Sequence, residues 1–262
     1  ESINGQYGTS SILAISAISA IIIAITLLLL NIDLKVGVYY VRDVFFYLNN
    51  ALFYAGYDIG LTSTQGLSPL IPMITSIFFR MGFISDFTII AISSSFYIFA
   101  ALGMYFLLRL RFNEVLSFSG SMILVTFPLV IVWVTKGMLD IPGMCMSIWA
   151  IYFTILSFRK NTKFLYVAFP LIMLGFFTRY TVILTVPALL LYYVYVNGFK
   201  IKKEDYPYIK QGFLIGIILA IMIFSIVSFL ICFIFAPQLS NLLIGTLEGG
   251  NKIEDVVFVI RL

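Results

Sequence analysis

The chain has 262 residues, of which 61% are hydrophobic and 11% charged, with a mean hydropathy of +1.08 and a formal net charge of +4. Soluble domains carry roughly a quarter charged residues, so a water-soluble fold is excluded and the chain is read as an all-α, polytopic integral membrane protein. It contains no His, which removes His-based metal sites and Ser-His-Asp or Cys-His nucleophiles, and its scattered basic residues make no nucleic-acid patch.

The first apolar run, residues 11–32, reads "SILAISAISAIIIAITLLLLNI". It is longer than the roughly 7–15 residues of a signal-peptide core and no basic stretch precedes it, so it is expected to be a first spanning helix. Further runs follow at 87–108, 115–135, 139–158, 164–177, 181–197 and 212–236, most of them near the roughly 17–25 residues a crossing needs. Cys145 and Cys232 both fall inside such runs, which argues against a disulfide framework.

Charge decides how residues 33–86 are placed. Within them, 67–84 carries Pro69 and Pro72 near its start and Arg80 near its end, a pattern that suits a helix at the interface with Arg80 among headgroups. If that segment does not cross, Arg109 and Arg111, then Arg159, Lys160 and Lys163, then Lys200, Lys202, Lys203 and Lys210 all fall on one side. Asp33, Asp43, Asp58, Asp86, Asp140, Glu248, Glu254 and Asp255 fall on the other. The positive-inside rule favours this arrangement, with about seven crossings, the N-terminus inside and an outer C-terminal segment over 237–262. The loop 33–86 is then extracytoplasmic, with juxtamembrane helices over 41–56 and 67–84. In the first, Val41, Val44, Phe45, Leu48, Leu52 and Ala55 recur at helical spacing, and Arg42, Asp43, Asn49 and Asn50 share the other face. Such a helix lies on the membrane surface, as a strut or as the wall of a site.

Few side chains offer chemistry. Asp140, in "KGMLDIPGMCM", reads either as the N-cap of the next helix or as a second outward carboxylate facing the Asp43 helix. Arg179, in "FFTRYTVILTVP", sits at a turn, where it can snorkel to water or bind a phosphate with its planar fork of donors. Lys136 is a similar candidate. The tyrosines 39, 40, 47, 54 and 57 are read mainly as an aromatic belt. "GGNK" at 249–252 is a turn and not a phosphate loop, since no strand or Lys-Ser pair accompanies it.

The order of these features resembles the GT-C superfamily of membrane glycosyltransferases, in particular relatives of protein O-mannosyltransferases and aminoarabinose transferases. The resemblance runs from the first helix to about residue 196 and rests on five stretches in order: "RDVFFYLNNALFYAG", "GLSPLIPMITSIFFRMG", "LLRLRF", "KGMLDIP" and "FFTRYTVILTVPALLLYY". The second is similar to the family's Pro-Pro-Leu segment, the fourth to its Leu-Thr-Asp-x-Pro, and the last to its Thr-Lys-Tyr-Thr run before a Pro-containing helix.

The resemblance implies transfer of a sugar from a polyprenyl- or dolichyl-phosphate donor to a hydroxyl of a protein, glycan or lipid acceptor. It places the reaction on the extracytoplasmic face, in what we expect to be the plasma membrane of a prokaryote. Asp43 matches the family's acidic residue that acts as base or orients the acceptor; Arg42, Lys136, Asp140, Arg179 and Tyr180 are the implied substrate contacts. Where many relatives have Asp-Glu, this chain has Arg42-Asp43, so the cofactor is left open, a divalent cation being one option. Relatives usually continue through further helices, so the chain reads as a fragment or a shortened member. The rival reading is a non-catalytic transporter or a structural subunit. Transporters tend to bury charge at mid-membrane, whereas here the charges sit at segment ends.

Overall fold

The computed structural model describes residues 9–36, 42–57, 68–198 and 205–248. Every regular element among them is helical: α1 (Thr9–Val36), α2 (Arg42–Ala55), α3 (Leu70–Arg80), α4 (Asp86–Arg109), α5 (Glu114–Thr126), α6 (Pro128–Thr135), α7 (Asp140–Arg159), α8 (Leu165–Thr178), α9 (Thr185–Asn197) and α10 (Tyr206–Glu248), with 3-10 turns at Thr162–Phe164 and Tyr180–Leu184. The all-α, membrane-embedded class expected from composition is what the chain adopts. Among the described residues, five helical stretches are long and apolar enough to cross a bilayer, and a sixth is gained if α5 and α6 count as one bent span. α8 with its preceding turn, and α3, are shorter apolar helices. At 1.5 Å per residue the 11 residues of α3 fall well short of a hydrocarbon core of about 30 Å. Asp58, Lys200, Lys202, Lys203 and residues 249–262, which carry several of the charges used to orient the chain, lie outside the described residues.

The chain divides into two compact units, Glu1–Ile221 and Met222–Leu262. Among its described residues the second consists of the later part of α10, which stays helical through Pro237 to Glu248, past the expected end at 236. The first holds everything that follows.

Local chemistry explains where its helices start and break. Ser85 Oγ accepts the Phe87 N–H at 3.2 Å, with Asp86 in the first turn of α4 and Arg109 in its last, so cap and charges both suit the helix dipole. Asn113 Oδ1 does the same for α5 by accepting from Leu116 N at 2.9 Å. The single span expected over 115–135 is in fact two helices bent by 57°. Pro128 has no N–H to give, and its ring forces Phe127 out of the helical region to φ −67°, ψ 118°. The carbonyl of Val125 just before the break accepts from the buried Tyr97 hydroxyl of α4 instead. An orphan carbonyl in lipid would be costly, and Tyr97 removes that cost.

The core of this unit lies between α1, α4, α5, α6 and α7. Ile18, Ile22, Tyr97, Ala101, Tyr105, Val125 and Ile141 meet there, and α4 offers small residues that let neighbours approach. Ser121 Oγ donates to the Ala101 carbonyl at 2.7 Å and Trp149 Nε1 to the Phe99 carbonyl at 3.0 Å.

Two ends of the bundle differ in chemistry. At one, Arg109 and Arg159 close α4 and α7, Arg111, Lys160 and Lys163 follow them, and Arg159 Nη1 donates to the Leu110 carbonyl at 2.6 Å. At the other, α2 and α3 pack on the start of α4 and on the α6–α7 turn through Val44, Tyr47, Ile71, Ile89, Ile90, Met138 and Leu139. Gly137 in that turn has φ +71°, and a Cβ there would lie 3.0 Å from Ile89, so only glycine fits both its backbone and its neighbour.

α2 turns Phe45 outward, 57% exposed, as a residue of an apolar face laid on a membrane would be, while Tyr47, Asn50 and Tyr54 are buried. α3 packs on α2 and covers a face that mixes apolar and hydroxyl- or amide-bearing residues. Arg80 departs from the sequence expectation. Its Nη2 donates to the Tyr54 carbonyl at 2.6 Å, satisfying an open carbonyl in the last turn of α2 and tying that helix to α3.

Candidate functional site

At the α2–α3 end, three distant stretches of chain converge on one side chain, Arg179. α8 stops at Thr178, whose hydroxyl turns back to the Leu174 carbonyl at 2.8 Å. Arg179 then adopts an extended conformation (φ −153°, ψ 120°) with its N–H on the Gly175 carbonyl at 2.7 Å, before the chain enters the turn Tyr180–Leu184. Its guanidinium is held at two points. Nη2 pairs with Asp140 Oδ1 at 3.2 Å, and Nη1 donates to the Tyr47 hydroxyl at 2.9 Å. The pair is partly shielded, with side-chain exposures of 28% for Arg179 and 19% for Asp140.

Two glycines let this turn sit close. A Cβ on Gly143 of α7 would stand 3.0 Å from Arg179 Cβ, and one on Gly175 of α8 would stand 2.6 Å from Val182 Cγ1. Helix propensity alone favours Ala over Gly by about 1 kcal/mol, yet we expect Gly175→Ala to destabilise the protein by about 1–2 kcal/mol net through overpacking. A lowered melting temperature of the purified variant in detergent checks this; a raised one means that Val182 yields freely.

Asp140 is the first residue of α7, with Leu139 in the capping position and no side-chain cap hydrogen bond. The N-cap reading of Asp140 is therefore corrected: its carboxylate faces Arg179, and Oδ2 is buried with no hydrogen-bond partner. Asp43 lies in the first turn of α2, half-buried and one helical turn from Tyr47. Residues four apart share a face, and the charges of Arg179, Asp43 and Asp140 all act on the Tyr47 hydroxyl. Burial lifts that hydroxyl above the usual phenol range, Arg179 opposes the rise, and the two carboxylates add to it. Arg42 opens α2, its side chain outside the described part of the chain.

A cleft of about 170 Å³ opens here, lined by Tyr47, Ser68, Leu139, Arg179, Tyr180 and Thr181. Tyr180 is exposed and packs on Phe176 with ring centroids 5.2 Å apart. Asp43, Asp140 and Lys136 are not among the lining residues. Asp140 touches the site through Arg179, and Lys136 caps α6 at the start of the turn that leads to Asp140. Of the sequence candidates, Asp43, Asp140, Arg179 and Tyr180 are thus brought together. Tyr47 was missed as a site residue, although its spacing of four from Asp43 was a usable signal. Ser68, Thr181 and the two glycines carried none.

Among the described residues, no group of three or more His, Cys, Asp or Glu side chains converges. Of the two carboxylates at this end, Asp140 is paired with the Arg179 guanidinium. A larger groove of about 340 Å³ runs between α7, α8, α9 and the start of α10. Its lining, including Phe158, Leu165, Phe169, Ile172, Leu189 and Phe213, is almost wholly apolar, so it suits hydrocarbon chains and carries no chemistry.

Comparison with known proteins bears on this arrangement. No curated protein and no solved structure matches the chain. Residues 67–239 match the family model described as dolichyl-phosphate-mannose-protein mannosyltransferase. The match takes in Lys136, Asp140, Arg179 and Tyr180 and begins after α2, so Asp43 and Tyr47 join the site through geometry. Well over half of the sequence is covered, and this integral membrane chain therefore belongs to the dolichyl-phosphate-mannose-protein mannosyltransferase family, a family of glycosyltransferases.

Proposed function

We propose that the chain transfers a sugar from a polyprenyl- or dolichyl-phosphate donor to an acceptor hydroxyl at the extracytoplasmic membrane surface. The observation that carries this reading is the presentation of Arg179 in a cleft at the end of the bundle to which α2 brings Asp43. A guanidinium offers planar, charged donors matched to a phosphate. A lipid-phosphate sugar already carries its leaving group, so the reaction needs a base, a cation and a place to hold the headgroup.

The step follows from those parts. The acceptor oxygen attacks the anomeric carbon as Asp43 takes its proton, and the bond from that carbon to the phosphate oxygen breaks. The electron pair leaves with the lipid phosphate, whose charge Arg179 stabilises, with Lys136 as a second cation. Attack from the face opposite the phosphate inverts the anomeric centre. The lipid tail remains among hydrocarbon, for which the apolar groove beside α8 and α9 is suited.

The test is incubation of membranes containing the protein with radiolabelled polyprenyl-phosphate sugars, following label into product beside the Asp43→Asn variant. Label that never leaves the lipid in any acceptor-containing membrane would falsify the proposal. The orientation has its own check. Asp86 and Lys163 begin and follow helices at opposite ends of the bundle. Single Cys residues placed there in a Cys145→Ser, Cys232→Ser background are expected to label from opposite sides, Asp86→Cys from outside.

A further inference from the structure

The proposed reaction uses Asp43 and Arg179 and leaves the Tyr47 hydroxyl unused. Tyr47 is 2% exposed, its ring fixed among Val44, Ile71, Ile89 and Leu139. Its oxygen accepts from Arg179 Nη1 at 2.9 Å. A phenol that accepts along one direction points its own O–H along another, and Tyr47 lines the same cleft as Arg179. Burial raises the pKa of this hydroxyl above its ordinary value, so at neutral pH it keeps its proton and can donate. Asp140 holds the other end of the guanidinium, which leaves the remaining N–H groups of Arg179 and the Tyr47 O–H as neighbouring donors.

We propose that Tyr47 is a second donor to the phosphate oxygens bound by Arg179, and that its contact with Nη1 fixes the plane in which the guanidinium meets them. The inference rests on the reading of Arg179 as the phosphate ligand. The ligand class is a phosphate ester anion, borne by a lipid or free in water.

Binding to the full chain in lipid nanodiscs tests it, with polyprenyl phosphate lacking a sugar as one probe and inorganic phosphate as the other. Tyr47→Phe keeps the ring and removes only the hydroxyl. It is expected to weaken polyprenyl-phosphate binding roughly 10- to 100-fold, the loss of one hydrogen bond to a charged group. In the transfer assay the donor KM is expected to rise by the same factor while the acceptor KM stays unchanged, a split that a purely structural tyrosine does not produce. Inorganic phosphate competing with the same dependence on Tyr47 identifies the free anion as a ligand too and supports the donor role. Wild-type affinity in Tyr47→Phe, alongside lost binding in Arg179→Gln, overturns the proposal and leaves the reading of Arg179 standing. Undiminished binding in Arg179→Gln defeats both. Ligand-induced thermal stabilisation reads the folded fraction alone, so a less stable Tyr47→Phe still reports, and a wild-type shift there overturns the proposal.

Discussion

Asp43→Asn is expected to lower the turnover number for sugar transfer by roughly 10²–10⁴-fold, the usual contribution of a positioned general base. Asparagine has nearly the same shape as aspartate but cannot take the acceptor's proton. Fold and insertion should persist, because α2 is held through Val44, Tyr47, Ala51 and the Arg80 contact and not through the half-buried Asp43. Initial rates at saturating donor and acceptor measure the effect, with detergent-solubilised yield and melting temperature as controls. Asp43→Glu keeps a carboxylate but moves it by one methylene, and an intermediate rate is expected. Full activity in Asp43→Asn removes Asp43 as the base.

Arg179→Gln is expected to reduce kcat/KM for the donor by roughly 10²–10³-fold, the scale of losing one group that stabilises developing charge. Two losses combine. The phosphate loses its cation, and Asp140, already carrying a buried Oδ2 without a partner, loses the partner of Oδ1 as well. Arg179→Lys separates them: an ammonium keeps the charge but cannot reach both Tyr47 and Asp140 as a planar fork does. It should recover part of the rate with a raised donor KM. The measurement is donor saturation at fixed acceptor, and an unchanged donor KM in Arg179→Gln defeats the phosphate assignment.

The sequence made the bundle readable because lipid imposes a simple rule. Apolar runs bounded by Ser85-Asp86 or by Arg109 and Arg159 have to be helices, and they are. The break at Phe127–Pro128 was also written there, since proline cannot donate within a helix, but its effect was hidden by the hydrophobicity of both flanks. Arg179 and Asp140 stood out as polar residues at segment ends. Their pairing did not, because Arg179 reaches Asp140 from another helix and an Asp two residues before proline imitates a helix cap. The cover that α3 lays over α2 was hidden for a similar reason. Asn50 and Tyr47 look like surface residues until α3 covers them, and no periodicity within α2 encodes that. The notch made by Gly143 and Gly175 depends on contacts between helices, which a single sequence does not reveal.

The bond between Arg179 and Asp140 has a consequence for selectivity. With much of its charge already balanced by a fixed carboxylate, the resting guanidinium is a weak trap for dilute soluble anions, each of which meets only its remaining donors at its own bulk concentration. A donor anchored in the same bilayer arrives at a far higher effective concentration and can occupy those donors beside the standing ion pair. Tethering, more than the strength of the cation, would then keep the entrance clear of sulfate, nucleotides and other bystanders.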